Sequence, residues 1–402
     1  MRWGQRIGVV AGNAMEFYDI AVYAAISMYL TVILEQQGVN HGQEIVWGIF
    51  ALRFLIRPLG GIVITSYAEK HGRKSALILT STLTGIATFL MAFMPVDTFG
   101  KYVVLFLLAL QMVQAFSFGG EYPTIINYLL KDSQDNEKGR ISAIIVGSSL
   151  VGVIVSTSIV LSLKAALSQE QMLSFGWRIP LIIGGLNILL SFWFRARLPY
   201  QTSDTLALKG SHSTFKTTLT IFMLTIPAAI IFYVQNMAST MIGNALLIGE
   251  LKKLYPIINS GFLLLTVIAV GIIVDRISSP TKAFNYGAIL LLLLGAPLYA
   301  LMDSTSLVIV ILSAVITSII AAMILSNLAS ILRDKSKGQD TSLGLGYNLA
   351  LSIFGGLTPI IISTLIPHGF VYAGLYVAIA SVPVFLANKF HSSYTERAEQ
   401  QQ

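Results

Sequence analysis

Twelve runs of about 20 apolar residues follow one another along this chain, and that repetition constrains the fold more than any motif does. In hydrocarbon every backbone N–H and C=O must be satisfied within the spanning structure, so a run of that length is expected to be a helix. Read from hydropathy, the spans fall at 6–34, 45–67, 75–94, 101–130, 141–165, 176–195, 216–243, 253–274, 282–301, 306–332, 341–366 and 370–388. Only 11% of the 402 residues are charged, less than half of the roughly 25% usual in soluble domains. The expectation is an all-α integral membrane protein.

The least apolar internal stretch, ARLPYQTSDTLALKGSHSTFK, follows the sixth span. It divides the chain into a six-helix bundle at 1–195, a linker at 196–215 and a second six-helix bundle at 216–402. Placing the 26 Lys and Arg residues on this topology puts 19 on the face that carries both termini and the linker. Lys101, Lys164, Arg178, Lys252 and Lys253 fall on the opposite face, and Arg53 and Arg57 lie within the membrane. By the positive-inside rule both termini are cytoplasmic. The net charge of +7 is then topology and gives no reason to expect nucleic acid. The lipid bilayer is the partner these spans imply, and the protein is expected to be a monomer.

Other chemistries find little support. There is no cysteine, and the five histidines, His41, His71, His212, His368 and His391, fall in loops or tails without the spacing of metal ligands. No Gly-x-Ser-x-Gly elbow or Walker-type loop is present. No enzyme activity, metal or cofactor is expected. The first apolar run is longer than a signal-peptide core and contains Glu16 and Asp19, so it reads as a retained span.

The informative residues are ionisable groups inside these spans, which cost several kcal/mol unless paired or hydrated. Arg53 and Arg57 are four apart on one helical face, as are Glu16 and Asp19 at a spacing of three, with Tyr23 a turn further on. From the helix rise, Glu16 and Arg57 both lie roughly 15 Å from the cytoplasmic ends of their spans, and Asp19 and Arg53 roughly 20 Å. Glu121, in the fourth span with Gln114, Gly119-Gly120 and Pro123, lies roughly 14 Å deep. Glu16, Arg57 and Glu121 thus form a candidate binding layer. Arg53 either joins it or snorkels outward to water. The competing reading is an ion-pair network that only fixes helix packing.

The second half is less charged. Tyr233, Asn236 and Asn348 are its candidate solute contacts, although polar residues between helices often only join them. Glu69-Lys70 after the second span is echoed by Asp275-Arg276 after the eighth, 206 residues later, the signature of a duplicated transporter. Glu69, Arg73, Lys74, Asp275 and Arg276 are candidates for a conformational latch, with simple positive-inside anchoring as the alternative.

RPLGG followed by AEKHGRK resembles the loop motif of the major facilitator superfamily. GNAMEFYD, FLIRPLGG, FGGEY, WRIP and GYN…GGLTP, in that order, resemble its metabolite:proton symporter branch, and within it the proline/betaine transporters. The resemblance implies two six-helix bundles, alternating access and proton-coupled uptake. By position it puts Glu16, Asp19, Arg57 and Glu121 on the branch's intramembrane charged sites. Thr65 and Ala68 stand where the loop motif has glycines, Glu69 replaces an aspartate, and Arg53 is an addition. The expected function is symport of a small zwitterionic or carboxylate-bearing solute. Arg57 would grip the carboxylate, and Glu121, Asp19 or Glu16 would carry the proton. A di- or tricarboxylate symporter and a transporter-fold sensor are the alternatives.

Overall fold

The structure is a computed structural model that describes residues 3–131, 133–199, 214–249, 251–337 and 339–389. Most of the expected linker (200–213), His212, His391 and the tail beyond 389 lie outside the described residues. Twelve helices are long and apolar enough to cross a membrane. The first six are α1 (Trp3–Gln36), α2 (Gly42–His71), α3 (Arg73–Ala92), α4 (Val103–Leu130), α5 (Lys138–Ala166) and α6 (Arg178–Ala196). The second six are α7 (Thr214–Gln235), α8 (Leu251–Ile277), α9 (Pro280–Ala300), α10 (Leu307–Ser336), α11 (Asp340–His368) and α12 (Phe370–Lys389). No strand occurs among the described residues. The chain is the all-α, twelve-span membrane protein expected.

Local chemistry sets several helix ends. Gly72 has φ 88°, a conformation costly for other residues, and joins α2 directly to α3. Its N–H bonds Ala68 O at 2.9 Å and closes α2. Ser279 caps α9 by accepting from the Lys282 N–H, with Pro280 at the first helical position. The seventh span, expected to run to 243, stops at Gln235. There Ala238 N–H bonds Tyr233 O (2.9 Å), five residues back, and the regular ladder ends before a short helix at Ser239–Ala245. α11 contains a π-helical turn at Leu351–Gly355, and the ring of Tyr233 packs over Gly355.

The chain forms two compact units, Met1–Asp132 with Ser148–Leu208, and Ser133–Gly147 with Lys209–Gln402. In the first, α2 packs on α4, α3 on α4 and α6, and α1 on α6 and α2. In the second, α9 packs on α10 and α12, α7 on α10 and α11, and α8 on α10. Helix α2 shows how the sequence selects its inner face. Leu52, Leu55, Leu59, Ile62 and Val63 are exposed, while Ile49, Phe50, Arg53, Phe54, Arg57, Gly60, Gly61 and Ile64 are buried. Spacings of three and four thus separate a lipid-type surface from an inward stripe that carries both arginines.

Candidate functional site

The site lies inside the first unit and begins with a close contact between two helices. A Cβ added at Gly60 would overlap the Phe116 carbonyl of α4, and one at Gly119 would overlap the Arg57 carbonyl of α2. Gly120 similarly leaves room for Ile64. The glycines of RPLGG and FGGEY therefore let α2 and α4 meet backbone to backbone, as small residues do between membrane helices. That contact fixes the height of Arg57 beside the segment carrying Glu121. Gly152 plays the same part for α5, resting on the Ala14 carbonyl of α1.

Glu16, Asp19, Arg53, Arg57 and Glu121 are all at most 3% exposed. The structure brings Glu16 and Arg57 together, with Oε1 3.6 Å from Nη2. That is an ion-pair distance but longer than a hydrogen bond, and neither oxygen of Glu16 receives a hydrogen bond. Glu16 and Glu121 line one small cavity with Gly12, Ser81, Thr84 and Ser191, with room for about one water molecule. Met15 and Phe118 complete its wall, so the two carboxylates and three hydroxyls share the space with apolar side chains.

Glu121 is paired differently. Its carboxylate is in direct ion contact with Arg195 of α6, whose guanidinium also donates to the Leu77 carbonyl (2.7 Å) and to the Ser81 hydroxyl. Arg195 is fully buried, and Gly12 makes way for it, since a Cβ there would overlap the guanidinium. Placed by topology alone, Arg195 is one of the 19 basic residues on the cytoplasmic face, and its pairing with Glu121 is not evident from that position. Charge balance was the available signal: two acids at one level with one arginine between them are balanced by either a second cation or a proton.

Asp19 and Arg53, matched in depth, are joined indirectly. Arg53 donates to Gln111 (2.7 Å) and lies 5.7 Å from the ring centres of Phe50 and Phe118. It is buried in this setting and does not snorkel. Asp19 instead accepts from Thr88 (2.8 Å), which accepts from Gln114 (2.7 Å). Tyr23 is buried, and its hydroxyl donates to the Val46 carbonyl, tying α1 to α2. Gln111 and Thr88 were not singled out from the sequence.

In the second unit Tyr233, Asn236 and Asn348 are buried. Asn236 accepts from Ser260 (2.9 Å), and Asn348 donates to the Gly344 carbonyl (2.7 Å). Nearby, Asn259 donates to both oxygens of Gln235, whose amide donates to the Tyr299 hydroxyl. Among the latch candidates, Asp275 accepts from the Gly139 and Arg140 N–H groups and from Arg140 Nε, at 2.7–2.9 Å. A carboxylate thus satisfies open donors at the positive end of α5. Lys74 donates to the Ala196 carbonyl (2.7 Å), Arg73 is fully buried, Glu69 is half-buried and Arg276 is exposed.

Helices and buried charge of this kind suit a carrier for small polar solutes, and the comparisons with known proteins give the family. The sequence profile of the Major Facilitator Superfamily matches residues 14–359, and the chain belongs to that family. It is a membrane transporter of small solutes and not an enzyme. It is 28% identical over 390 residues to the "Putative proline/betaine transporter" of Staphylococcus haemolyticus, covering 92% of this chain and 83% of that one. It is 23% identical over 399 residues to the alpha-ketoglutarate permease of Escherichia coli, covering 95% and 92%. The fold matches the proton:xylose symporter XylE from E. coli with a TM-score of 0.76 at 13% identity, over 97% and 95% of the two chains.

Proposed function

We propose that this transporter takes up a small zwitterion of the proline or betaine type together with a proton, by alternating access, with both termini on the cytoplasmic side of a bacterial inner membrane. One observation carries the solute class: Glu16 faces Arg57 at 3.6 Å with no hydrogen bond to either carboxylate oxygen. A pair held this loosely can exchange partners. A solute carboxylate would take the planar fork of Arg57, and the solute's cationic group would meet Glu16. The exchange leaves the buried charge balanced, which matters where an unpaired charge is costly. A dicarboxylate would call on Arg53 as well, and that guanidinium is already engaged by Gln111 and packed near two rings. The Glu121–Arg195 contact leaves Glu16 and Asp19 as the better candidates for the coupling proton. The name of the S. haemolyticus relative agrees with the zwitterion reading. That of the E. coli permease supports the alternative of an organic acid.

Uptake by proteoliposomes tests the proposal. Radiolabelled proline or glycine betaine should accumulate when the outside is acidified and only equilibrate without a gradient. Arg57→Gln should abolish that accumulation, with the protein still folded. Accumulation of 2-oxoglutarate but neither zwitterion would move the assignment to an organic-acid symporter. Binding without accumulation would indicate a sensor.

A further inference from the structure

The two arginines of α2 are served differently: Arg57 faces a carboxylate, Arg53 an amide. From Arg53 a hydrogen-bonded relay links four helices, α2, α4, α3 and α1. Arg53 Nη1 donates to Gln111 Oε1 (2.7 Å), and Gln111 Nε2 donates to Gln114 Oε1 (3.0 Å). Gln114 Nε2 then donates to Thr88 Oγ1 (2.7 Å), and the Thr88 hydroxyl donates to Asp19 Oδ2 (2.8 Å). All five side chains are buried. The ends fix the direction of the chain. A guanidinium only donates and an ionised carboxylate only accepts, so each glutamine must turn its oxygen toward Arg53 and its amide nitrogen toward Asp19.

Thr88 is the point at which this order can change. Its hydroxyl has a second acceptor, the Thr84 carbonyl, at 2.9 Å. The other oxygen of Asp19, Oδ1, has no hydrogen-bond partner and points at Gly184 of α6, where a Cβ would overlap it. Asp19 therefore communicates with its surroundings through Thr88. Around it, α3 presents Thr88, α4 presents Gln114 and α6 presents Gly184. Arg53 of α2 is the charged group at the far end of the relay, and Tyr18 and Glu16 lie near Asp19 on its own helix.

We propose that Asp19 carries the coupling proton, that Thr88 is its hydroxyl switch, and that Arg53 is a positioning residue acting on Asp19 through Gln111 and Gln114. The inference rests on the proton-coupled reading above. When Asp19 is ionised, Thr88 donates to it. When a proton binds at Oδ2, the new O–H donates to Thr88 Oγ1, and Thr88 turns its own hydrogen to the Thr84 carbonyl. Gln114 keeps its bond throughout, because a hydroxyl oxygen accepts twice. One proton is gained and no covalent bond within the protein breaks.

The test is pH-difference infrared spectroscopy of the full chain in lipid nanodiscs, without solute. Acidification should raise a carboxylic C=O band that is absent in Asp19→Asn. Thr88→Ser should keep the band's frequency and midpoint, whereas Thr88→Val should shift both. Arg53→Gln should tighten proton binding about tenfold, one pH unit in midpoint, although Arg53 does not touch Asp19. Gln111→Leu, which keeps the arginine's charge but cuts the relay, should also move the midpoint and serves if Arg53→Gln does not fold. Survival of the band in Asp19→Asn overturns the assignment. Unmoved midpoints in Gln111→Leu and Thr88→Val overturn the relay. Proteoliposome uptake separates this from the wider reading. A wild-type protein that shows the Asp19 band but gains nothing from a pH gradient defeats coupled transport alone. Coupled accumulation that persists in Asp19→Asn defeats the proton assignment alone.

Discussion

In the first unit the buried interior carries Glu16, Asp19, Arg53, Arg57, Glu121 and Arg195, whereas that of the second holds the buried acid Asp340 and is otherwise polar through neutral groups such as Gln235, Asn236, Asn259, Ser260, Tyr299 and Asn348. Both use glycine to bring helices close: Gly119 lies on the Arg57 carbonyl in one, and a Cβ at Gly346 would come within 2.5 Å of the Thr218 carbonyl in the other. What differs is the strength and reach of the polar groups. Each charge in the first unit needs a partner, so moving one obliges another to move. An amide or hydroxyl in the second can lose a bond at about 1 kcal/mol and leave its neighbours in place. The contrast suits a division in which the first unit responds to charge and the second supplies adjustable hydrogen bonds.

Breaking one charge pair should have the largest effect. Arg195→Met alone strands the Glu121 carboxylate in a buried site and should cost about 3–5 kcal/mol, read as a lower thermal unfolding midpoint in detergent. Adding Glu121→Leu should restore most of that loss. A double variant as unstable as the single would show that the pair's charge is not the source of the cost. Next in size is Gly119→Ala, where a methyl forced against the Arg57 carbonyl should cost about 1–3 kcal/mol and impair uptake. Its control is Gly261→Ala on α8, which has nothing within 4 Å of the new atom and should lower neither stability nor uptake. The smallest effect belongs to the second unit. Tyr299→Phe removes the acceptor of the Gln235 amide (3.2 Å) and should cost about 1 kcal/mol. A loss as large as that of Arg195→Met would erase the distinction between the units.

The twelve spans were legible because membrane helices announce themselves by length and hydropathy alone. The shared depth of Glu16 and Arg57 was legible too, since it needs only the helix rise. Rise does not give rotation, and there the sequence stopped. Asp19 and Arg53 match in height, yet Thr88, Gln114 and Gln111 fill the path between them. Arg195 sits at a span end, where a basic residue has a sufficient reason in topology, and only the turn of α6 directs it to Glu121. The end of α7 at Gln235 goes with a change in the backbone ladder, Ala238 N–H bonding Tyr233 O five residues back, which hydropathy does not register.

The seat of Arg195 over Gly12 also bears on how such a protein can change over generations. Any side chain at position 12 would occupy the volume of the guanidinium, so the two positions cannot drift independently. A lineage that first shortens Arg195 opens room for later change at position 12, provided the Glu121 charge is relieved in the same period. A lineage that first fills position 12 displaces the arginine and strands its acid at once. Neither order of substitution is passable unless the Glu121 charge is relieved in the same period.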